Sequence, residues 1–253
     1  MPDTAARTLI GFPLFEGLDG TELSRLEAIC HWRMCAAGER IFESGSESRE
    51  VFLVIRGAVN IANFSASGRE VAFATSRTGE YFGELAAIDR QPRSASVVAM
   101  EPTLLAVLPA AAFLDLLQRR AQVTFRVLQR LASIVRTGDV RIMELSTLAA
   151  AQRVYAELLR LAQPEPAVRG LWVVCPLPPL REIASRTGTT RETVTRALGQ
   201  LYPTGLIRRK GRNLYLMDRS GLEKILHALE EQGRAGGRRR ATQSSLSPTA
   251  GRA

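Results

Sequence analysis

Cysteine and histidine are scarce in this chain: 253 residues contain three Cys and two His. Cys30, Cys35 and Cys175 are an odd number with a single x4 gap, which excludes a paired disulfide framework and matches no structural zinc spacing. They read as buried or idle thiols. His31 and His227 lack the neighbours that would complete a ligand set, so no metal is expected. No nucleophile–base constellation is visible either, and the chain is not expected to be an enzyme. Long apolar runs are missing as well. Leu104 to Leu117 is interrupted by Pro109 and Asp115 and is too short to cross a bilayer. The opening "MPDTAARTLIGFPLF" has an acid near its start and no sustained apolar core, so neither signal peptide nor membrane anchor is expected, and the chain reads as cytoplasmic.

What is present is a folded protein with a basic bias. The hydrophobic content is 45%, and the length suits two cores better than one. Thirty-four Lys and Arg against 25 Asp and Glu leave a net charge of +9, which points to a polyanionic partner. Part of that excess lies in "GRAGGRRRATQSSLSPTAGRA", residues 233–253, whose composition cannot bury a core and reads as a disordered basic tail.

The pattern along the chain gives an α+β fold class in three parts. From Arg40 to Leu108, short alternating apolar runs are punctuated at Gly45, Gly57, Gly68, Gly79 and Gly83, the signature of a compact antiparallel β domain. From about Pro109 to Ala162 the text turns helical. Within it Leu128, Leu131, Val135, Gly138, Ile142 and Leu145 follow a 3, 4, 3, 4, 3 spacing, a heptad seam that predicts a parallel two-helix coil and hence a homodimer. Five prolines between Gln163 and Pro179 end the helix and open a second domain. The expected boundaries are a β-roll over 1–118, a dimerisation helix over 119–164, a winged helix-turn-helix over 165–232 and the tail.

In the second domain, Leu180, Ile183 and Ala184 form the inner face of a first helix, and Gly188 sits where a tight turn needs positive φ. Thr189 with Glu192 reads as a capping box opening a second helix, whose apolar face is Val194, Ala197, Leu198 and Leu201. Small Ala184, the turn at Gly188 and the plug Val194 fall where helix-turn-helix packing needs them. That leaves Arg191, Glu192, Thr195 and Arg196 facing outward at the helix start, the part that enters a major groove of double-stranded DNA. Arginine can grip guanine O6 and N7, and a carboxylate can accept from cytosine N4. "LIRRKGRNLYLMD" then reads as a two-stranded wing whose basic turn at Lys210 and Gly211 touches phosphates.

"REIASRTGTTRETVTRAL" resembles the DNA-binding signature of the CRP/FNR family of bacterial transcription regulators, and the resemblance extends over residues from about 10 to 228. It implies that Arg191, Glu192 and Arg196 read base edges in TGTGA-like half-sites of a palindrome, with RNA polymerase as a further partner. The family's phosphate-binding cassette reads approximately F-G-E-L-A followed by R-S/T-A, and this chain has "FGELAAIDRQPRSASV". By that resemblance the β domain is a cyclic-nucleotide-binding domain with cAMP or cGMP as effector. The chemistry suits the spacing. Glu84 can accept from a ribose 2′-OH, and the backbone N–H groups of Gly83, Glu84, Leu85 and Ala86 meet an anionic phosphate. Arg93 closes a charge-assisted pair on its exocyclic oxygens, and Ser94 donates to the phosphate or faces the base. An iron–sulfur sensor of the FNR type would need an N-terminal cysteine cluster that this chain lacks, and no haem ligand set is evident.

The base is less constrained. Where the cAMP-responsive members of the family carry a Thr-Ser pair on the dimer helix, an ungapped alignment places Gly138 and Asp139, with Thr137 just before. An aspartate can accept from guanine N1–H and N2–H₂ together, whereas adenine's Watson–Crick edge offers it one donor beside a repelling acceptor. cAMP and cGMP therefore stay open as effectors. A ligand-independent or redox-tuned regulator that uses the β domain as a dimer scaffold is the alternative.

Overall fold

The computed structural model describes residues 7–64 and 70–226. The basic tail, His227, the turn at Gly68 and the first six residues of the chain lie outside them. The chain divides into two compact units, Met1–Arg136 and Thr137–Ala253.

The first unit opens with a 3₁₀ turn at Pro13–Phe15 and helix α1 (Gly20–Ile29), capped by the Asp19 carboxylate accepting from the Glu22 N–H at 2.9 Å. Eight strands follow: β1 (His31–Cys35), β2 (Arg40–Phe42), β3 (Val51–Arg56), β4 (Ala58–Phe64), β5 (Glu70–Arg77), β6 (Tyr81–Phe82), β7 (Ser96–Ala99) and β8 (Thr103–Leu108). A short helix α2 (Glu84–Asp89) lies between β6 and β7, and α3 (Ala110–Arg119) follows β8. The strands form two antiparallel sheets in the orders β1-β8-β3-β6 and β2-β7-β4-β5. Cys35, Ile41, Phe52, Val54, Val59, Phe82, Val97 and Leu105 from both sheets make one buried cluster. Val51, Leu53, Ala106 and Leu108 join a second cluster with Leu26, Phe113, Val123 and Val127 from the helices. Strand β3 is therefore apolar on both faces, which is why "VFLV" is a continuous run and not an alternation.

The segment expected to be one helical stretch is three helices: α3, α4 (Ala121–Thr147) and α5 (Ala150–Leu161). The first break falls at Arg120, which leaves helical geometry at φ −123°, ψ 87°. The second follows buried Leu148, where the Ala149 N–H donates to the Gln152 side chain at 2.6 Å. Val123 and Val127 pack on the first unit and Leu131 rests partly against it. Leu128, Val135, Ile142 and Leu145 of the seam are each more than half exposed.

The second unit packs α5, α6 (Leu180–Arg186) and α7 (Arg191–Leu201) against a four-stranded antiparallel sheet, β11 (Ile207–Lys210), β12 (Asn213–Leu216), β10 (Trp172–Val174) and β9 (Gln163–Pro164), in that order. Val154, Tyr155 and Leu158 of α5 share its core with Ile183, Val194, Leu198, Ile207 and Leu214.

Candidate functional site

Two sites are built by these elements, one in each unit. In the first, β6 ends at Phe82 and the chain turns into α2 through Gly83, at φ +84°. Glycine is required there twice over. The left-handed backbone disfavours any Cβ, and a Cβ would lie 2.6 Å from Arg93 Nη1 and 3.0 Å from the Glu50 carbonyl oxygen. Arg93 returns three residues before β7. Its backbone is held by the 45–46 loop, with the Arg93 N–H donating to Ser46 O at 2.9 Å and the Gly45 N–H donating to Arg93 O at 2.8 Å.

The Arg93 side chain points inward and the residue is 3% exposed. Its Nε donates to Ser48 Oγ at 2.9 Å, Nη1 to Gly83 O at 2.9 Å, and Nη2 to Glu50 O at 2.8 Å and Glu50 Oε2 at 3.3 Å. The guanidinium lies 4.2 Å from the Phe42 ring centroid and 5.4 Å from that of Phe52, two rings that pack with Phe82. Burial lowers the pKa of Arg93, opposed by the charges of Glu50 and Glu84. Glu84 is buried too. Desolvation raises its pKa, offset in part by a bond from its own backbone N–H and by the charges of Arg130 and Arg93. Arg130 of α4 donates from Nη2 to the Tyr81 carbonyl at 2.6 Å and stacks 4.4 Å from the Tyr81 ring. Gly83, Glu84, Ala86 and Arg93 thus gather at one cradle, with Leu85 at its more exposed side and Ser94 exposed beyond it. Thr137 and Asp139, both exposed, belong to the second unit.

Sequence reasoning did not find Ser48, Glu50, Phe42 or Arg130. Glu50 is 43 residues from Arg93, and an acid opening a strand carries no local signal of its partner.

In the second unit, α6 and α7 meet through buried Ala184 and Val194, and Gly188 turns between them at φ +60°. The helix cap differs from the expected box. Thr189 still belongs to the preceding turn, its N–H donating to Ala184 O at 2.9 Å. Thr190 is the N-cap, accepting from the Thr193 N–H at 3.3 Å. Of two adjacent threonines, the one free of the α6 turn takes the extended geometry a cap needs. Arg191, Glu192, Thr195 and Arg196 are exposed on the first turns of α7. A bond from its own backbone N–H, and then one from Thr190, hold the Glu192 carboxyl below its usual range. Lys210 is exposed at the end of β11, beside Gly211 at φ +59°, where the strand turns back into β12.

The cyclic nucleotide-binding domain family matches residues 32–120, and the Crp-like helix-turn-helix domain family matches residues 152–225. The chain is 33% identical over 221 residues to the "Cyclic AMP receptor protein" of Thermus thermophilus, an alignment covering 87% of this chain and 99% of that protein. The chain belongs to the CRP/FNR family of transcription regulators. A second CRP-family relative, the "cAMP-activated global transcriptional regulator Vfr" of Pseudomonas aeruginosa, is 29% identical over 199 residues, 76% of this chain and 92% of that protein. Among solved structures, FixK2 of Bradyrhizobium japonicum matches with a TM-score of 0.63 and 25% identity, covering 78% of this chain and 96% of that one. The matches are regulators and not enzymes. A cyclic nucleotide-binding domain followed by a C-terminal helix-turn-helix is the CRP-type architecture of this chain. Among the described residues no group of three or more His, Cys, Asp or Glu is placed to hold a metal, and no helix is long and apolar enough to cross a membrane.

Proposed function

We propose that this CRP-family regulator is a homodimer that binds a cyclic nucleotide in the Gly83–Arg93 cradle and a palindromic DNA site with its two α7 helices. The observation that carries the effector reading is the buried Arg93 guanidinium beside a left-handed Gly83: a cation fixed against a strand–helix turn suits a phosphate. Glu84 would accept from the ribose 2′-OH, and the N–H groups of Gly83 to Ala86 together with Ser94 would complete the phosphate contacts. The names of the Thermus and Pseudomonas relatives favour cAMP, while Asp139, with Thr137 beside it, favours guanine. The exposed seam of Leu128, Val135, Ile142 and Leu145 on α4 supports pairing with a second copy, since an apolar helix face left in water has a strong tendency to associate. Two-fold pairing would set the α7 helices about 34 Å apart, one DNA turn. Arg191, Glu192, Thr195 and Arg196 would read a TGTGA-like half-site, Lys210 would touch phosphate, and RNA polymerase would be engaged from the bound site. The functional division we propose is 1–118 for the effector, 119–164 for pairing and 165–232 for DNA, with α5 (Ala150–Leu161) also packing into the core of the DNA-binding unit.

Thermal melting with each nucleotide tests the effector reading. A ligand at 100 times its Kd adds about 2.7 kcal/mol to stability, so a rise with cAMP or cGMP is expected. One observation favours a second reading, a ligand-independent regulator: the protein itself already supplies four acceptors to Arg93. Unchanged melting with both nucleotides, alongside intact DNA binding, would select it.

A further inference from the structure

We propose that Glu50 is an intramolecular competitor for the effector's phosphate, a carboxylate that neutralises Arg93 until a phosphate displaces it. The inference rests on the cyclic-nucleotide reading above and adds a residue that tunes the same site. Three of the four acceptors around Arg93 are neutral: the Gly83 and Glu50 carbonyls and the Ser48 hydroxyl. The fourth, Glu50 Oε2, carries charge and is the most distant at 3.3 Å.

The two partners of the ion pair sit in different environments. The Arg93 side chain is 1% exposed and that of Glu50 is 46% exposed. A buried guanidinium is better held with an anion beside it, and Glu50 supplies one weakly, at 3.3 Å and half-exposed. A half-exposed carboxylate regains its hydration when it swings away, so Glu50 is the detachable member. Glu84, also buried, acts on Arg93 through its charge but makes none of the guanidinium's hydrogen bonds, so Glu50 is the anion in contact.

A cyclic phosphodiester spreads one negative charge over two exocyclic oxygens, as a carboxylate does. Binding therefore exchanges one monoanion for another at Nη2 while the neutral bonds persist. The Arg93 site stays compensated before and after, and the effector's affinity is reduced by whatever holds Glu50 in place. Both anions together would crowd two negative charges against one cation.

Titration calorimetry on the full chain tests this, using cAMP and cGMP with wild type and Glu50→Gln. The variant keeps the shape and removes the competing charge. It is expected to bind both nucleotides about two- to five-fold tighter, the scale of a half-exposed ion pair, with the ratio between them unchanged because the phosphate is common to both. Equal or weaker affinity in the variant would overturn the proposal and make Glu50 a residue that merely orients Arg93; a gain for one nucleotide alone would overturn it too, by placing Glu50 at the base. Binding of neither nucleotide to either protein would remove the cyclic-nucleotide reading, and the inference with it. Glu50→Ala carries the same expectation should the glutamine variant fail to fold.

Discussion

Replacing Arg93 with alanine is expected to destabilise the protein before any ligand is added. A sequence reading makes Arg93 a ligand contact, but the structure also makes it the common donor to Gly83 O, Glu50 O and Ser48 Oγ, which come from two separate loops. Truncation leaves the two carbonyls facing a void, and a buried acceptor without a donor costs about 1 to 3 kcal/mol. Loss of the contact with Phe42 adds about 0.5 to 2 kcal/mol. Against these stands relief from keeping a guanidinium out of water, so the net expectation is about 2 to 4 kcal/mol, a large part of the roughly 5 to 15 that a domain possesses. Urea denaturation of the ligand-free protein, followed by fluorescence of Trp32 in β1 with Trp172 replaced by phenylalanine, measures it. Nucleotide affinity should fall by a further 2 to 5 kcal/mol or so, the cost of a phosphate left without its cation. Arg93→Lys separates the two roles: it keeps the charge but cannot reach three acceptors at once, so it should retain more affinity than stability. A loss below about 1 kcal/mol in urea for Arg93→Ala would refute the argument, because the bonds to Gly83 and Glu50 would then hold nothing.

Glu84 supplies a pH dependence. Its folded pKa is raised by burial, so its contribution to stability is full below the unfolded carboxylate range and is lost as pH rises through the folded value; Glu84→Gln should flatten that slope and raise the ligand-free Tm at neutral pH, and parallel wild-type and variant melting curves from about pH 4 to about pH 8 would contradict it. On DNA, Arg196→Ala should relax preference at one half-site position by about 1 to 3 kcal/mol, while Lys210→Ala weakens all sequences alike, as read by binding across a site library. Identical behaviour of the two variants would erase the division between base reading and phosphate contact. Asp139→Asn turns an acceptor into a donor and should lower any preference for cGMP over cAMP by about 1 to 3 kcal/mol in competition binding; a wild type that prefers cAMP, or an unchanged ratio, leaves Asp139 a solvated helix residue.

Much of the fold was legible because its punctuation is local. Glycines at Gly45, Gly57, Gly79 and Gly83 all take positive φ where turns were expected. Gly188, Ala184 and Val194 announced the two-helix unit because close packing admits few side chains at those places. The division of the helical stretch was not legible. Nothing in the sequence near Leu148 breaks a helix by propensity; in the structure Leu148 is buried and the Ala149 N–H is taken by the Gln152 side chain, contacts that a propensity does not carry. The cap falling at Thr190 and not at the expected Thr189 is of the same kind, since a cap is decided by which residue the preceding turn has already claimed.

The cradle divides along the same physical line. Gly83, Glu84, Arg93 and Ser94 lie within twelve residues and were legible through their resemblance to the family cassette; the structure adds a steric reason at Gly83, where a Cβ would meet Arg93. Glu50 and Ser48 meet Arg93 only because the loop leading into β3 lies beside the turn out of β6, a consequence of the Phe52–Phe82 pairing. Any acid or hydroxyl of suitable reach would satisfy the guanidinium from there, so the sequence carries no pattern for them. On the proposed reading, these residues would decide how readily Arg93 is released to an incoming phosphate. If that reading holds, the cassette motif points to the kind of ligand the cradle would take, whereas its affinity would be tuned by neighbours such as Glu50, which only the folded sheet brings to 3.3 Å from Arg93.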